Sequence, residues 1–432
     1  MRKLLWLLFV LSSPIWLLSQ KEASSKIKFS LQGKVAIDNL VYFKKQAKKI
    51  NSRNEGTVNL KGTIEFDEEA IFKIQVASRK DLQDDFRDRL GYVREAYFHF
   101  VDRKLDMSIG KQLASWGTAD IYSPTNNLNP VDYTDFFDLE DNKLGVWMVK
   151  AKRFHTNRFF TEVLISPFLP TIAAPNTDSR WVVGLPSQVP HPSETNSFIP
   201  IQYNYVNLYP DYKDVGLMMG FRNGVTIGQW DVSQSFLVGP NFTPSFSQGE
   251  SRLGQSAIQV DLAPIHQRQY VFGIDFATAF KYVGFRGEMA LKGLSKENSK
   301  RGLSTLYYEY TIGLDRTFSR LIFNKNLTVI AQWVQQIILA EDRPMDNNIR
   351  FFLQRAMMLR TELALNYFSS FTIQALNTLD TNSWYIQASL KYRILDGWTV
   401  MARTDLVFGK ANGFLGQFIN NDRLQLKITY DF

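Results

Sequence analysis

The final segment Leu424-Gln425-Leu426-Lys427-Ile428-Thr429-Tyr430-Asp431-Phe432 places an apolar or aromatic side chain at every even position and a polar one at every odd position. A period of two marks a β-strand with one dry and one wet face, because successive side chains leave the backbone on opposite sides. The same pattern runs backwards along the chain. Trp384, Ile386, Ala388, Leu390 and Tyr392 alternate with Tyr385, Gln387, Ser389, Lys391 and Arg393, and Trp398, Val400, Ala402, Leu406 and Phe408 with Thr399, Arg403 and Asp405. Met357, Leu359, Leu363, Leu365 and Tyr367 oppose Arg360, Glu362 and Asn366. Near the start, Val58, Leu60, Ile64 and Phe66 oppose Asn59, Lys61, Thr63 and Glu65, and Phe72, Ile74 and Val76 oppose Lys73, Gln75 and Arg79.

A soluble β-sandwich alternates too, so the period alone does not decide. Three features do. The segments are about ten residues long, the length of a tilted strand that crosses a bilayer. Aromatics sit at their ends (Tyr367, Trp384, Tyr392, Trp398, Phe408, Tyr430), where an interfacial girdle puts them. Finally, a barrel with apolar side chains outward on every segment has a dry exterior, which is stable only in lipid. Mean hydropathy is −0.20, and no run of about 18 apolar residues follows residue 20, which excludes a helical membrane protein. The best helical stretch, 81–90, is short and acidic and falls in a connection.

The connections alternate between short and long. Short ones fall at Asp67-Glu68, Val101-Asp102-Arg103, His155-Thr156-Asn157, Arg222-Asn223-Gly224, Lys281-Tyr282, 321–324, Ser369-Ser370 and Asp396-Gly397. Long ones fall at 44–55, 80–90, 112–142, 166–212, 239–267, 293–305, 339–353, 378–382 and 409–420. An outer-membrane barrel needs this arrangement, with short periplasmic turns and long external loops. The fold class predicted is all-β, a transmembrane antiparallel β-barrel of about 18 strands, 16 being the alternative count. Residues 256–262 are either a further strand, which would break the parity, or part of a long loop, and are read as loop.

Arg2-Lys3 followed by the apolar stretch 4–18 and Ser19-Gln20 has the charged, apolar and small-residue order of a secretory signal peptide. The expected domains are a signal peptide over 1–19 and a barrel over 20–432, with 112–142 and 166–212 as constriction or lid. The chain has no cysteine, which removes disulfides, thiolate metal sites and thiol catalysis. Its four histidines (His99, His155, His191, His266) are far apart and not in metal-ligand spacing. No histidine adjoins a serine or aspartate signature of hydrolysis, so no enzymatic activity, cofactor or metal is expected. The net charge of +8 is dispersed over alternate positions, which speaks against nucleic acid. Only Lys44-Lys45 and Lys48-Lys49 cluster, in a rim loop suited to anionic lipid headgroups.

Two segments carry a resemblance. The terminal Leu424…Tyr430-x-Phe432 is similar to the C-terminal signal by which the assembly machinery of Gram-negative outer membranes recognises barrels, and it assigns Tyr430 and Phe432 that role. Gly110-x-Gln112, then Trp116-Gly117, then Asn129-Pro130-x-Asp132 resembles a porin-like outer-membrane family that carries an unknown-function label. The resemblance implies a barrel, and for some members an association with efflux or lipid-export systems.

Trp116, Asn129, Asp132, Asp135, Asp138, Glu140 and Asp141 are the constriction-loop candidates. Their acidic patch would set a transverse field against basic lumen residues. The alternatives are an exposed loop that caps the mouth, or a calcium site lacking EF-hand spacing. Turning the polar face inward makes Lys73, Arg79, Lys150, Lys152, Arg360, Glu362, Lys391, Arg393, Arg403 and Asp405 lumen residues, with Lys61, Lys427, Glu65, Asp106, Glu162, Asp275, Glu288 and Glu309 beside them. Each is either a rung of a cross-strand ladder or a selective group. The expectation is a loop-gated, porin-like channel for small polar or charged solutes. Its alternative is a conduit for hydrophobic molecules in an export system. Expected partners are outer-membrane lipid, the barrel-assembly machinery and small solutes; oligomeric state is open.

Overall fold

The computed structural model describes residues 27–47, 49–66, 70–138, 142–168, 179–181, 188–190, 197–205, 216–242, 245–253, 257–265, 267–294, 305–341, 353–410 and 413–432. The signal peptide expected over 1–19 lies outside the described residues. Eighteen antiparallel strands form one sheet: β1 (Ile27–Tyr42), β2 (Ser52–Phe66), β3 (Ala70–Asp81), β4 (Arg89–Val101), β5 (Leu105–Gln112), β6 (Val146–Thr156), β7 (Phe159–Phe168), β10 (Met218–Ile227), β11 (Trp230–Pro240), β14 (Arg268–Phe280), β15 (Val283–Leu294), β16 (Thr305–Ile322), β17 (Lys325–Glu341), β18 (Arg355–Ala364), β19 (Ser369–Thr378), β20 (Ser383–Leu395), β21 (Trp398–Phe408) and β22 (Arg423–Asp431). The sheet closes on itself. β22 pairs with β1 from Tyr42↔Arg423 to Lys34↔Asp431, and Gly33 and Phe432 exchange two more backbone hydrogen bonds of 2.8 and 2.9 Å.

Burial follows the alternation in the inverse sense to a soluble protein. On β22, Leu424, Leu426, Ile428 and Tyr430 are 36–49% exposed on the outer face, whereas Arg423, Gln425 and Thr429 are 0–8% exposed on the inner one. In water each outward Leu or Ile would forgo about 1.5–3 kcal/mol of burial; in hydrocarbon that penalty vanishes. No second layer covers this face among the described residues, which disposes of the sandwich. Trp384 and Phe408 face each other at the loop end of β20 and β21, and Trp398 meets Tyr430 at the turn end with ring centroids 4.8 Å apart. From Trp384 to Tyr392 along a strand tilted by about 40° the rise is about 20 Å, close to the height of an apolar belt.

The long and short connections alternate among the described residues, with two of the expected short ones displaced: Ser369-Ser370 opens β19, the chain reversing just before it at 365–368, and the other lies on β10. Arg222-Asn223-Gly224 is not a turn but the middle of β10; the chain reverses after it at Gly228, where φ is +62°. An Asn-Gly pair signals a turn by local chemistry, but Gly224 serves packing instead. A Cβ there would lie 2.2 Å from the Phe160 ring. The turn at 321–324 needs no glycine: Phe323 and Asn324 both adopt positive φ, 49° and 59°. Within the connection expected at 80–90, Asp85–Arg87 makes a single 3-10 turn.

A second sheet of four strands stands apart: β8 (Gln188–Pro190), β9 (Phe198–Tyr205), β12 (Ser245–Leu253) and β13 (Ile258–Ile265). The segment read as loop over 256–262 is thus largely strand, but β13 pairs with β12 and β9 and not with the barrel. The even count of the barrel stands.

Candidate functional site

β5 is the shortest strand of the barrel, with 8 residues, because the chain leaves the wall after Gln112 and turns inward until β6 begins at Val146. The motif residues build this departure. Gly110 sits at φ +135°, with the carbonyl of Ala96 2.3 Å from where a Cβ would be. Gln112 accepts from Ser108 Oγ at 2.6 Å and donates to the Met148 carbonyl at 3.2 Å. Asn129 ties the two legs of the loop together. Its Oδ1 accepts from the Ala114 amide at 2.9 Å, and its Nδ2 donates to the Leu144 carbonyl at 2.9 Å. Trp116 donates through Nε1 to Glu162 at 2.6 Å and packs with Leu128 on the inner wall, against Met148, Leu164, Met218, Leu237, Val271 and Ala290.

Beyond Trp116 the loop docks on β15 to β17. Glu288, 3% exposed, is the hub. Its Oε1 accepts from the amides of Thr118 and Ala119, both at 2.6 Å. Its Oε2 accepts from Ser123 Oγ at 2.7 Å, Thr125 Oγ1 at 2.8 Å and the Thr125 amide at 3.2 Å. Gly117, at φ +92°, is required here, since a Cβ would fall 2.4 Å from that carboxylate. Gln332 accepts from the amides of Ile121 and Tyr122, and the Tyr122 hydroxyl donates to Glu309 at 3.0 Å. Lys292 bridges Glu309 at 2.7 Å and Asn127 at 3.2 Å, and Asp120 pairs with Arg286.

The second half of the loop reaches the opposite wall. Asp132 pairs with Arg79 and Arg89, both at 3.2 Å, and Asp135 with Arg53 at 2.9 Å and with Arg423. Asp138 lies 3.5 Å from Arg53. Wall acids complete the cage. Asp38 binds Arg53 at 2.9 Å, Glu55 binds Arg87 at 3.1 Å, and Asp405 accepts from Arg403 at 2.9 Å, Tyr385 at 3.0 Å and Arg423. Burial opposes ionisation of Asp132 and Asp135. Arg89 and Arg79 outweigh it for the first, and Arg423, Arg53 and Arg87 for the second, so both carboxyls stay below their usual range. Phe137 stacks on Tyr385 at 4.0 Å, beside Phe414, Phe418 and Trp181. Of the long connection expected at 166–212, residues 179–181 belong to this cluster, with Arg180 donating to the carbonyls of Ile50 and Asn420.

The acidic patch is therefore a clamp and not a field across open water. Asp132 and Asp135 are 8% and 4% exposed and engaged by the wall's own arginines, which also leaves them no free oxygens for a mouth-capping surface or a calcium shell. Glu140 and Asp141 lie outside the described residues.

The other sequence candidates divide by height. Arg79, Arg403 and Asp405 are in the clamp. Lys73, Lys150, Lys152, Arg360, Glu362, Lys391 and Arg393 share inward faces nearer the turns. Lys152 lies 3.9 Å from the Phe160 ring centroid, and Arg360 and Glu362 pair at 3.4 Å. Tyr430 and Phe432 face outward, with Phe432 lying over Gly33. At the loop end the inward side chains are buried around the wall, from Asp38 on β1 through Met148 on β6, Leu237 on β11, Met358 on β18 and Asp405 on β21. At the turn end a cavity of about 620 Å³ opens against β1, β2, β3, β20 and β21, lined by Gln32, Lys34, Asn59, Lys61, Gln75, Arg393, Asp396, Thr399 and Asp431. The lumen thus has a filled half and an open half.

Residues 10–168, which include the whole loop and its motif, match the model of a family described as a protein of unknown function, DUF1302. No curated protein matches the sequence. The fold is similar to OmpT of Vibrio cholerae (10% identity over 96% of this chain and 100% of that one, TM-score 0.45). It is also similar to a multiply substituted Rh. blastica porin (12%, 94% and 100%, TM-score 0.45) and to Salmonella typhi OmpF in complex with daunomycin (9%, 96% and 100%, TM-score 0.42).

Proposed function

We propose that this chain is a porin-like channel of the outer membrane that passes small polar or charged solutes, with the connection 113–145 as its gate. One observation carries the reading: a single loop crosses a closed, polar-lined barrel and is fastened to both walls, by Glu288 on one side and by the arginines of β2, β3 and β22 on the other. A solute that enters the open half meets this loop before it can leave, so passage requires that one fastening release. Tyr430 and Phe432, on the lipid face of the last strand, are the proposed assembly signal.

The test is planar-bilayer recording of the refolded protein. Low-amplitude conductance that rises when either fastening is cut supports the gate; silence under both conditions refutes the channel. The second reading, a conduit for hydrophobic molecules serving an export system, draws on the apolar inner wall from β6 to β15. There Trp116 and Leu128 occupy the surface that such a molecule would need. Co-purified lipid that persists in a silent barrel would favour it.

A further inference from the structure

We infer that the turn-end vestibule is an anion-binding site, taking solutes that carry a carboxylate or phosphate group. The inference deepens the channel reading and rests on it for the path to the site. Three cations line the cavity, Lys34 on β1, Lys61 on β2 and Arg393 on β20, and Lys73 on β3 and Lys391 on β20 share the same inner face beside it. Their cross-strand neighbours offer almost no compensation. Lys61 faces Gln32 and Gln75, Lys73 faces Thr63 and Tyr97, Lys391 faces Ser370 and Met401, and Arg393 faces Thr399. Two acids share the cavity, Asp431 opposite Lys34 and Asp396, and among the described residues neither is ion-paired with these cations.

The loop end is the opposite case. There the arginines are matched by carboxylates within hydrogen-bond reach. At the turn end, among the described residues, these five have no ion-pair partner, although the chain pairs its charges where the lumen is closed. Unpaired cations on one wall of a water-filled vestibule raise the local concentration of anions. The cavity, about 620 Å³ and open toward the turn end, has room for a small solute. Gln32, Asn59 and Gln75 supply neutral groups between the cations, which a carboxylate or phosphate needs for orientation.

The experiment compares the whole protein with the triple variant Lys61→Gln, Lys391→Gln, Arg393→Gln, whose residues lie outside the gate. Reversal potentials in a potassium chloride gradient should show chloride preferred several-fold over potassium, and the variant should lose that preference. Calorimetric titration of the detergent-solubilised protein with citrate, and separately with inorganic phosphate, should show binding that weakens at least tenfold in the variant. Cation preference in the parent, or an unchanged reversal potential in a correctly folded variant, overturns the inference. Absence of conductance with citrate or phosphate binding intact overturns the channel and leaves the site standing. Absence of both bindings overturns the site whether or not current flows.

Discussion

Glu288→Gln tests the gate at its hub. The carboxylate accepts five hydrogen bonds from the loop, two on Oε1 and three on Oε2. Glutamine keeps the volume but turns one oxygen into an NH2 group that cannot accept, so two or three loop donors lose their partner. Hydrogen bonds to a charged group contribute about 1.5–3 kcal/mol each, and breaking a buried charged contact costs about 3–5 kcal/mol in all because the losses do not add. Taking that range at about 1.4 kcal/mol per decade, the docked state of 117–125 weakens by about a hundred- to a few thousand-fold. Hydrogen exchange read by mass spectrometry on peptides covering 113–128 is the direct assay. Protection there should fall by that factor while peptides from β20 to β22 stay protected. Single-channel conductance should rise in parallel. Unchanged exchange over 113–128 in an intact barrel would refute the reasoning, because it would mean that Gln332 and Tyr122 hold the segment without the hub.

Three further outcomes follow from the same contacts. Gly117→Ala, which would set a methyl group 2.4 Å from Glu288 Oε1 at a φ of +92°, should reproduce the Glu288→Gln exchange pattern, and wild-type protection over 113–128 would count against the hub. Asp135→Asn removes the charge shared by Arg53 and Arg423 and should cost about 3–5 kcal/mol, read as a lower denaturant midpoint and faster exchange over 132–138; a change under about 1 kcal/mol would mean that the pairs are idle. Because Asp132 and Asp135 have depressed folded-state pKa values, their stabilisation is fully present above the unfolded carboxylate value of about 3.9 and is lost as pH falls through the lower folded values. Loop docking should therefore be flat from about pH 8 to pH 5 and fail only below about pH 4; a gating step between pH 5 and 8 would exclude the clamp as its source.

The barrel was legible because each strand repeats one rule that needs no partner to be read: an even residue meets lipid and an odd one water, or the reverse. Turns were legible where backbone geometry alone sets them. The failure at Asn223-Gly224 has a tertiary cause, since the glycine makes room for Phe160 on a neighbouring strand. The loop was legible as a departure from the wall, through Gly110, Gln112 and Trp116, but not as a plug. Its anchors are far away in sequence: Glu288 is 163 to 170 residues from the groups it holds, and Arg423 is 288 residues from Asp135. A run of aspartates looks the same in sequence whether it faces water or arginine. A single signal was available: Arg53, Arg79, Arg403 and Arg423 all fall on inward positions toward the loop ends of their strands, where unmatched cations would otherwise be buried.

Charge bookkeeping across the clamp connects the gate to the vestibule. With the loop docked, six arginines (Arg53, Arg79, Arg87, Arg89, Arg403, Arg423) pair, among the described residues, with seven carboxylates, four from the wall and its turns (Asp38, Glu55, Asp81, Asp405) and three from the loop (Asp132, Asp135, Asp138). When the second half of the loop lifts away, its three paired carboxylates go with it and six positive charges are left against four. The opened upper wall then carries the same sign as the vestibule below it. A buried ionic contact is also well suited to a gate, since its attraction only modestly exceeds the desolvation it must repay and water entering the gap restores most of what separation loses. An apolar plug of equal area would lose its full burial energy on opening and gain nothing from water. A released gate should for that reason strengthen anion preference: Asp135→Asn, which loosens the clamp and removes one loop charge, should move the reversal potential further toward chloride, and a move toward potassium would show that the solute path does not pass the arginines.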